Sequence, residues 1–219
     1  MSRFFLSRIS GRLCLTSRSS ERSPLYVDFT TPALMQRVKR LSPRSELLLK
    51  AIGGQPGETV VDMTTGLGTD SFLLAAYGYR VFSIERSRTL YLLLHDGLNR
   101  ALADPSVPEW LQKTLARIHL INADARSVSL LPNESVYAVI DPMYAPRKKS
   151  SLSKGEMQTL QAFIGQNQSP GELISAAKSL GVRRAVVKRA LRSELHYASS
   201  EPLYVLRGRS SRFDVFHFK

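Results

Sequence analysis

From residue 58 onward, short apolar runs alternate with amphipathic segments, and that alternation leaves few architectures open. "ETVVDM" (58–63), "YRVFSIE" (79–85), "RIHLINA" (117–123), "SVYAVID" (135–141) and "VRRAVVKRA" (182–190) have the length and β-branched content of buried strands. Between them, "TDSFLLAAYG" (69–78) has helical spacing and stops at Gly78. "SRTLYLLLHDGLNRALA" (87–103) is a longer helix, and a helical region spans about 154–180 with a break near Ser169-Pro170. Strands alternating with helices pair in parallel through right-handed crossovers. The expected fold is α/β, a mostly parallel, doubly wound sheet. At the tail, "PLYVLR" (202–207) and "RFDVFHF" (212–218), separated by "GRSS", predict an antiparallel hairpin closing one sheet edge.

A chain of 219 residues can bury one good core. Residues 58–219 form the α/β domain in this reading. Residues 24–57 supply a short strand ("LYVDF") and a helix ("SELLLKAIG") beside it. Residues 1–23 carry Arg3, Arg8, Arg12 and Arg18 with no acid before Glu21. That stretch fits either a loosely ordered basic arm or a transit peptide. The whole chain has 31 Lys and Arg against 18 Asp and Glu, a formal charge of +13. Such an excess favours polyanionic partners, nucleic acid first. No apolar run reaches the roughly 20 residues needed to cross a bilayer. A single cysteine, Cys14, excludes an internal disulfide and a cysteine-based zinc site, and suits a reducing, cytoplasmic setting. The four histidines are too scattered to suggest a metal cluster.

In "VVDMTTGLGTD", Asp62 ends a strand, Gly66 and Gly68 form the turn, and Thr69 and Asp70 open the next helix. Glycines let a ligand approach the backbone, and the helix start offers unpaired N–H groups. A dinucleotide fingerprint would carry a third glycine where Ser71 stands. Asp62 and Asp70 make the turn poor for phosphate and good for a cation. S-adenosylmethionine, with a sulfonium and an ammonium, fits such acids. Glu85, at the end of the second strand, is placed to accept hydrogen bonds from ribose hydroxyls. Asp124, after the third strand, is placed to meet an adenine amino group.

"VIDPMYAPRKKSS" (139–151) puts Asp141 and Tyr144 at the end of the fourth strand, on the side where open α/β sheets bind ligands. Asp141-Pro142-Met143-Tyr144 resembles the [Asn/Asp]-Pro-Pro-[Tyr/Phe] signature of amino-group methyltransferases, with Met143 in place of the second proline. An exocyclic base amine is a poor nucleophile, because its lone pair is delocalised. A fixed carboxylate that accepts its N–H bonds favours a more nucleophilic nitrogen, and a tyrosine ring gives the base a face to stack on. Guanine presents N1–H and the N2 amine side by side to one carboxylate, which favours guanine over adenine. Arg147, Lys148, Lys149, Lys154, Lys188, Arg189 and Arg192 lie near the same rim and are candidate contacts to RNA phosphates.

"VVDMTTGLGTDSF", "SIERS", "DPMYAPRKKSSLSKGEM", "RRAVVKR" and "SSRFDVFHF" together resemble the ribosomal RNA small subunit methyltransferase J family, from about residue 25 to the C-terminus. The resemblance implies a class I, Rossmann-like methyltransferase fold. It implies an S-adenosylmethionine-dependent enzyme that methylates guanine N2 in 16S ribosomal RNA, with that RNA or the small subunit as partner. Cofactor contacts would fall on Thr69 and Asp70, Glu85 and Arg86, Asp124 and Ala125, and Asp141. The family often shows a serine pair where this chain has Asp124-Ala125. Adenine-N6 or protein-glutamine methylation by the same signature, and a non-catalytic ribosome assembly factor, are the rival readings.

Overall fold

The apolar alternation resolves into nine strands and six helices in a computed structural model that describes residues 3–18, 23–129, 135–142, 159–160, 163, 169–192, 197 and 201–218. In chain order these are β1 (Phe4–Ile9), β2 (Arg12–Ser17), α1 (Pro32–Lys39), α2 (Leu47–Ile52), β3 (Thr59–Asp62), α3 (Thr69–Tyr77), β4 (Arg80–Ile84), α4 (Arg88–Ala103), α5 (Glu109–Leu115), β5 (Ile118–Ile121), β6 (Ser135–Ile140), α6 (Pro170–Ser179), β7 (Arg184–Ala190), β8 (Tyr204–Arg207) and β9 (Ser211–His217). The main sheet has the order β5-β4-β3-β6-β7-β9-β8. Strands β3 to β7 pair in parallel, and β9 joins β7 antiparallel with β8 outside it. The expected α/β sheet with a C-terminal hairpin is thus observed.

Side-chain alternation along the strands fills both faces. Val60, Val81, Val139 and Val186 meet α2 and α3 through Leu48, Ile52 and Leu74. Val61, Ile84, Ile140 and Val187 turn the other way and meet α6 through Leu173, Ile174 and Ala177. A third cluster joins α4 and α5 to Phe29, Phe72 and Leu15. At the middle of the sheet β3 has β4 on one side and β6 on the other. Successive crossovers diverge there, which opens a crevice at the carboxyl ends of those strands.

The N-terminal residues depart from expectation. Instead of a loose arm, β1 and β2 form a hairpin whose turn residues Ser10 and Gly11 have φ of 49° and 79°. Two residues at positive φ give the turn whose twist matches a hairpin. Cys14 and Leu15 are buried, Leu15 exchanges backbone hydrogen bonds with Leu25, and Asp96 of α4 accepts from Leu13 N and Arg8. The "LYVDF" stretch contributes that one bridge at Leu25 rather than a full strand. Helices α1 and α5 were not expected. No residue of α1 is fully buried, although Leu34, Met35 and Val38 pack partly buried against the core, and α5 begins beside Pro108.

A second correction concerns Arg189, expected on RNA. Its side chain is 1% exposed and donates to Asp214, itself at 0%. Asp214 Oδ2 also accepts from Tyr197 and Arg212, while Arg212 Nε lies 2.9 Å from Oδ1 without hydrogen-bond alignment. Burial raises the Asp214 pKa, but the bonds from Arg212, Tyr197 and Arg189 outweigh it and hold the pKa below the usual carboxylate range. Alternation on β7 explains the error: adjacent residues Lys188 and Arg189 face opposite sides of the sheet. Asp214→Ala removes the buried carboxylate that accepts from Arg189, Tyr197 and Arg212, so urea unfolding is expected to show a loss of about 3–5 kcal/mol.

Candidate functional site

The crevice is built around the turn after β3. Met63 N donates to Val139 O on the β6 side at 2.9 Å, and Thr65 N donates to Ile84 O on the β4 side at 3.2 Å. Asp141 N, just beyond β6, donates to Thr64 Oγ1 at 2.6 Å. The turn is therefore stitched to both neighbouring strands. Gly66 and Gly68 sit at φ of 60° and 76°, which side chains rarely adopt. A Cβ on Gly68 would also lie 2.6 Å from Leu94 Cδ2.

Glu85 closes the turn from the side. Its Oε2 accepts from Gly66 N at 2.8 Å and its Oε1 from Ser87 N at 2.7 Å. Burial pushes its pKa up, opposed by those two N–H groups. Each carboxylate oxygen has two lone-pair directions, so one N–H apiece leaves acceptor capacity for two hydroxyls. Glu85 lines a cleft with Met63, Thr64, Arg86, Asp124 and Ala125. Asn122 Nδ2 donates to Glu85 O and ties this corner to the end of β5.

Asp62 does not face the cleft. It is 2% exposed and lies beneath the turn, where its Oδ2 accepts from Ser71 Oγ at 2.6 Å and its Oδ1 from Thr64 N at 3.1 Å. Ser83 Oγ lies 2.8 Å from Ser71 Oγ and extends the chain to β4. The expected cofactor contact of Asp62 is thus corrected to a role in holding the turn. Ser71, which seemed only to spoil a glycine fingerprint, is the residue that anchors it. Only the fold reveals this, because nothing in the local pattern pairs positions 62 and 71.

Asp124 lies on the cleft wall, but its carboxylate accepts from Arg126 Nη2 at 2.6 Å and Nε at 2.9 Å. Arg126 reaches on to Glu172 at the start of α6. These bonds hold the Asp124 pKa at about 2. Arg126 was missed by the sequence reading, although an arginine two residues past a strand-end aspartate is a signal of such a clamp. Ala125 is buried at the cleft floor, and Thr69 and Asp70 open α3 beside the turn.

Lys188, also expected on RNA, instead points back into the site. Its Nζ lies 2.5 Å from Asp70 Oδ2 and 3.1 Å from Asp141 Oδ2, with the side chain 15% exposed. Tyr144, Arg147, Lys148, Lys149 and Lys154 lie outside the described residues. The structure thus brings Asp70, Glu85, Asp124 and Asp141 to one sheet edge, with Asp141 joined to the Glu85 cleft through Thr64. A rim of carboxylates with a hydroxyl-accepting Glu85 suits a cationic, ribose-bearing ligand.

A family model described as a putative S-adenosylmethionine-dependent methyltransferase matches residues 2–218. The chain is 40% identical over 199 residues to a ribosomal RNA small subunit methyltransferase J of Thioalkalivibrio sulfidiphilus, covering 88% of this chain and 76% of the relative. The protein of the same name from Coxiella burnetii is 39% identical, with 90% and 76% covered. This chain belongs to the ribosomal RNA small subunit methyltransferase J family. Among solved structures, the S-adenosylmethionine-dependent methyltransferase NGO1261 of Neisseria gonorrhoeae superposes with a TM-score of 0.73 at 32% identity, covering 98% of this chain and 82% of that one. TrmN of Thermus thermophilus, at 19% identity and a TM-score of 0.51 over 84% of this chain and 53% of that one, shares the fold. The methyltransferase family and the class I fold account for the acid-rimmed crevice, and S-adenosylmethionine is the cofactor its residues suit.

Burial raises the Asp62 pKa from 3.8 to about 7, the Ser71 and Thr64 bonds oppose it, and the charges of Asp70 and Asp141 add to it. A carboxyl whose folded pKa exceeds its unfolded value stabilises the fold when protonated, and that contribution is lost as pH rises from about 4 to about 7. Asp62→Asn cannot titrate. Its stability relative to wild type, followed by urea unfolding, is expected to climb across that window and then level off. A constant difference would show that Asp62 titrates like an exposed acid.

Proposed function

We propose that this methyltransferase acts on small-subunit ribosomal RNA and places its methyl group on the exocyclic N2 of a guanine. The observation that carries the reading is Asp141, an acid rather than an amide, fixed at the end of β6 by its N–H bond to Thr64, which lines the cleft together with Glu85. The relatives' names specify ribosomal RNA of the small subunit. The net charge of +13 suits an RNA partner. The described helices include none long and apolar enough to cross a membrane, and a cytoplasmic enzyme acting where ribosomes assemble is the setting we favour.

When bound, S-adenosylmethionine supplies a methyl group made electrophilic by its sulfonium. Glu85 accepts from the ribose hydroxyls, and the glycine turn at Gly66 and Gly68 lets the ligand lie against the backbone. Thr69 and Asp70 would meet the cofactor's polar end, and Arg86, Asp124 and Ala125 its adenine. Asp141 would accept N–H bonds from the base amine, which raises electron density on that nitrogen and holds it in place. Tyr144 gives the extruded base a stacking face. Arg147, Lys148, Lys149 and Lys154 hold the flanking phosphates.

Asp141→Ala is expected to stay folded and to lose at least about 100-fold in methylation rate, the scale of a lost preorganised polar contact. Turnover at the wild-type rate would refute the role. Glu85→Ala is expected to weaken cofactor binding in calorimetry by about tenfold or more, the cost of losing hydrogen bonds to a charged acceptor. Incubation with labelled cofactor and unmodified ribosomal RNA should give N2-methylguanosine on nucleoside digestion. N6-methyladenosine, or label on protein, would favour the rival substrates.

A further inference from the structure

An ammonium lodged among carboxylates at an RNA-modifying site calls for a reason. Lys188 Nζ touches Asp141 Oδ2 at 3.1 Å and Asp70 Oδ2 at 2.5 Å. Asp70 opens α3, so the ammonium is gripped from the helix side while it faces the acid at the end of β6. The register of β7 enforces this. Lys188 pairs across from Phe213 and shares its face with Val186, while the next residue, Arg189, is spent on Asp214 beneath the opposite face. With 15% of its side chain exposed, Lys188 is poorly placed to meet a phosphate outside the molecule.

We infer that Lys188 and Asp141 together read the Watson–Crick edge of the target guanine, Asp141 accepting from N1–H and the N2 amine and Lys188 donating to O6. This rests on the guanine-N2 reading above. Along that edge guanine presents one acceptor followed by two donors. The site presents a cation followed by a two-oxygen acceptor, in contact with each other, which is the complementary order. Adenine sets an amine donor where guanine has O6, and an ammonium facing a donor is repelled, so the same lysine rejects the wrong purine. A flipped base is read at this edge by such polar contacts.

The test is the ratio of kcat/KM for RNA carrying guanosine against RNA carrying 6-thioguanosine at the target position, in wild type and in Lys188→Met. Thioguanosine keeps N1–H and the N2 amine and changes only the O6 acceptor to weakly accepting sulfur. Wild type is expected to prefer guanosine by about tenfold, as for one hydrogen bond from a charged donor. Lys188→Met is expected to lose about that factor on guanosine and little on thioguanosine, so the preference collapses toward unity. Should Lys188→Met not fold, Lys188→Gln removes the charge while keeping polar contacts to Asp70 and Asp141, and gives the same ratio test with a preference reduced toward unity. A preference unchanged in a folded variant overturns the inference. So does a loss of S-adenosylmethionine affinity in calorimetry that accounts for the whole defect, because Lys188 would then serve the cofactor. Digestion of the wild-type product separates the two readings. N2-methylguanosine with an unchanged ratio sinks the Lys188 assignment alone, whereas any other product sinks the guanine reading first.

Discussion

The site depends on a stretch of backbone hydrogen bonds at the point where the sheet reverses its winding. Between β4 and β6 the chain leaves β3 and must turn at once into α3, while it is bonded on both sides. Met63 and Thr65 bond outward to the two neighbouring strands, and Thr64 receives Asp141 N. Because those bonds tie three strand ends into one unit, Glu85 and Asp141 cannot drift apart independently. Beneath this unit the Asp62–Ser71–Ser83 chain holds the helix start in register. A positional error of an ångström at a reacting centre costs orders of magnitude in rate, so a turn braced from three directions is the physical precondition for the chemistry.

Electrostatics sets a second constraint. Several carboxylates brought to one sheet edge repel one another, and the fold answers each differently. Asp62 is buried with hydroxyl and N–H partners and has its pKa raised. Glu85 takes two backbone N–H groups. Asp124 is clamped by Arg126 and ionised far below neutrality, and Asp70 and Asp141 share Lys188. The result is a graded rim, negative enough for a sulfonium cofactor yet internally compensated. The overall excess of basic residues is thus a property of the chain as a whole, whereas among the described residues the cleft pairs Glu85 and Asp124 with Arg86 and Arg126.

Much of this was legible along the chain. The period of the apolar runs specified the strands, and their alternation with helical segments specified parallel pairing, because no short connection can join parallel neighbours. The hairpin of β8 and β9 was marked by two alternating runs around "GRSS". Strand ends followed, and with them the positions of Asp62, Glu85, Asp124 and Asp141 on one edge. The N-terminal hairpin was overlooked because its arginines resemble a basic arm, yet Ser10-Gly11 between two alternating runs was a turn signal. Helix α1, at eight residues, is too short for its apolar face of Leu34, Met35 and Val38 to repeat along the chain.

What the residue order determined, by itself, was which groups stand at the ends of the strands: period and turn chemistry are local properties, and local properties can be read locally. What each group does there was decided by tertiary structure. Asp62 and Asp141 look alike in sequence, but one is sealed under the turn by Ser71 and the other meets Thr64 of the cleft and the Lys188 ammonium. Lys188 and Arg189 look like one basic patch, but a strand's two faces send one to the acids of the site and the other to Asp214. Hydrogen bonds and ion pairs between residues far apart in sequence depend on which faces the fold brings together, and no local pattern encodes that.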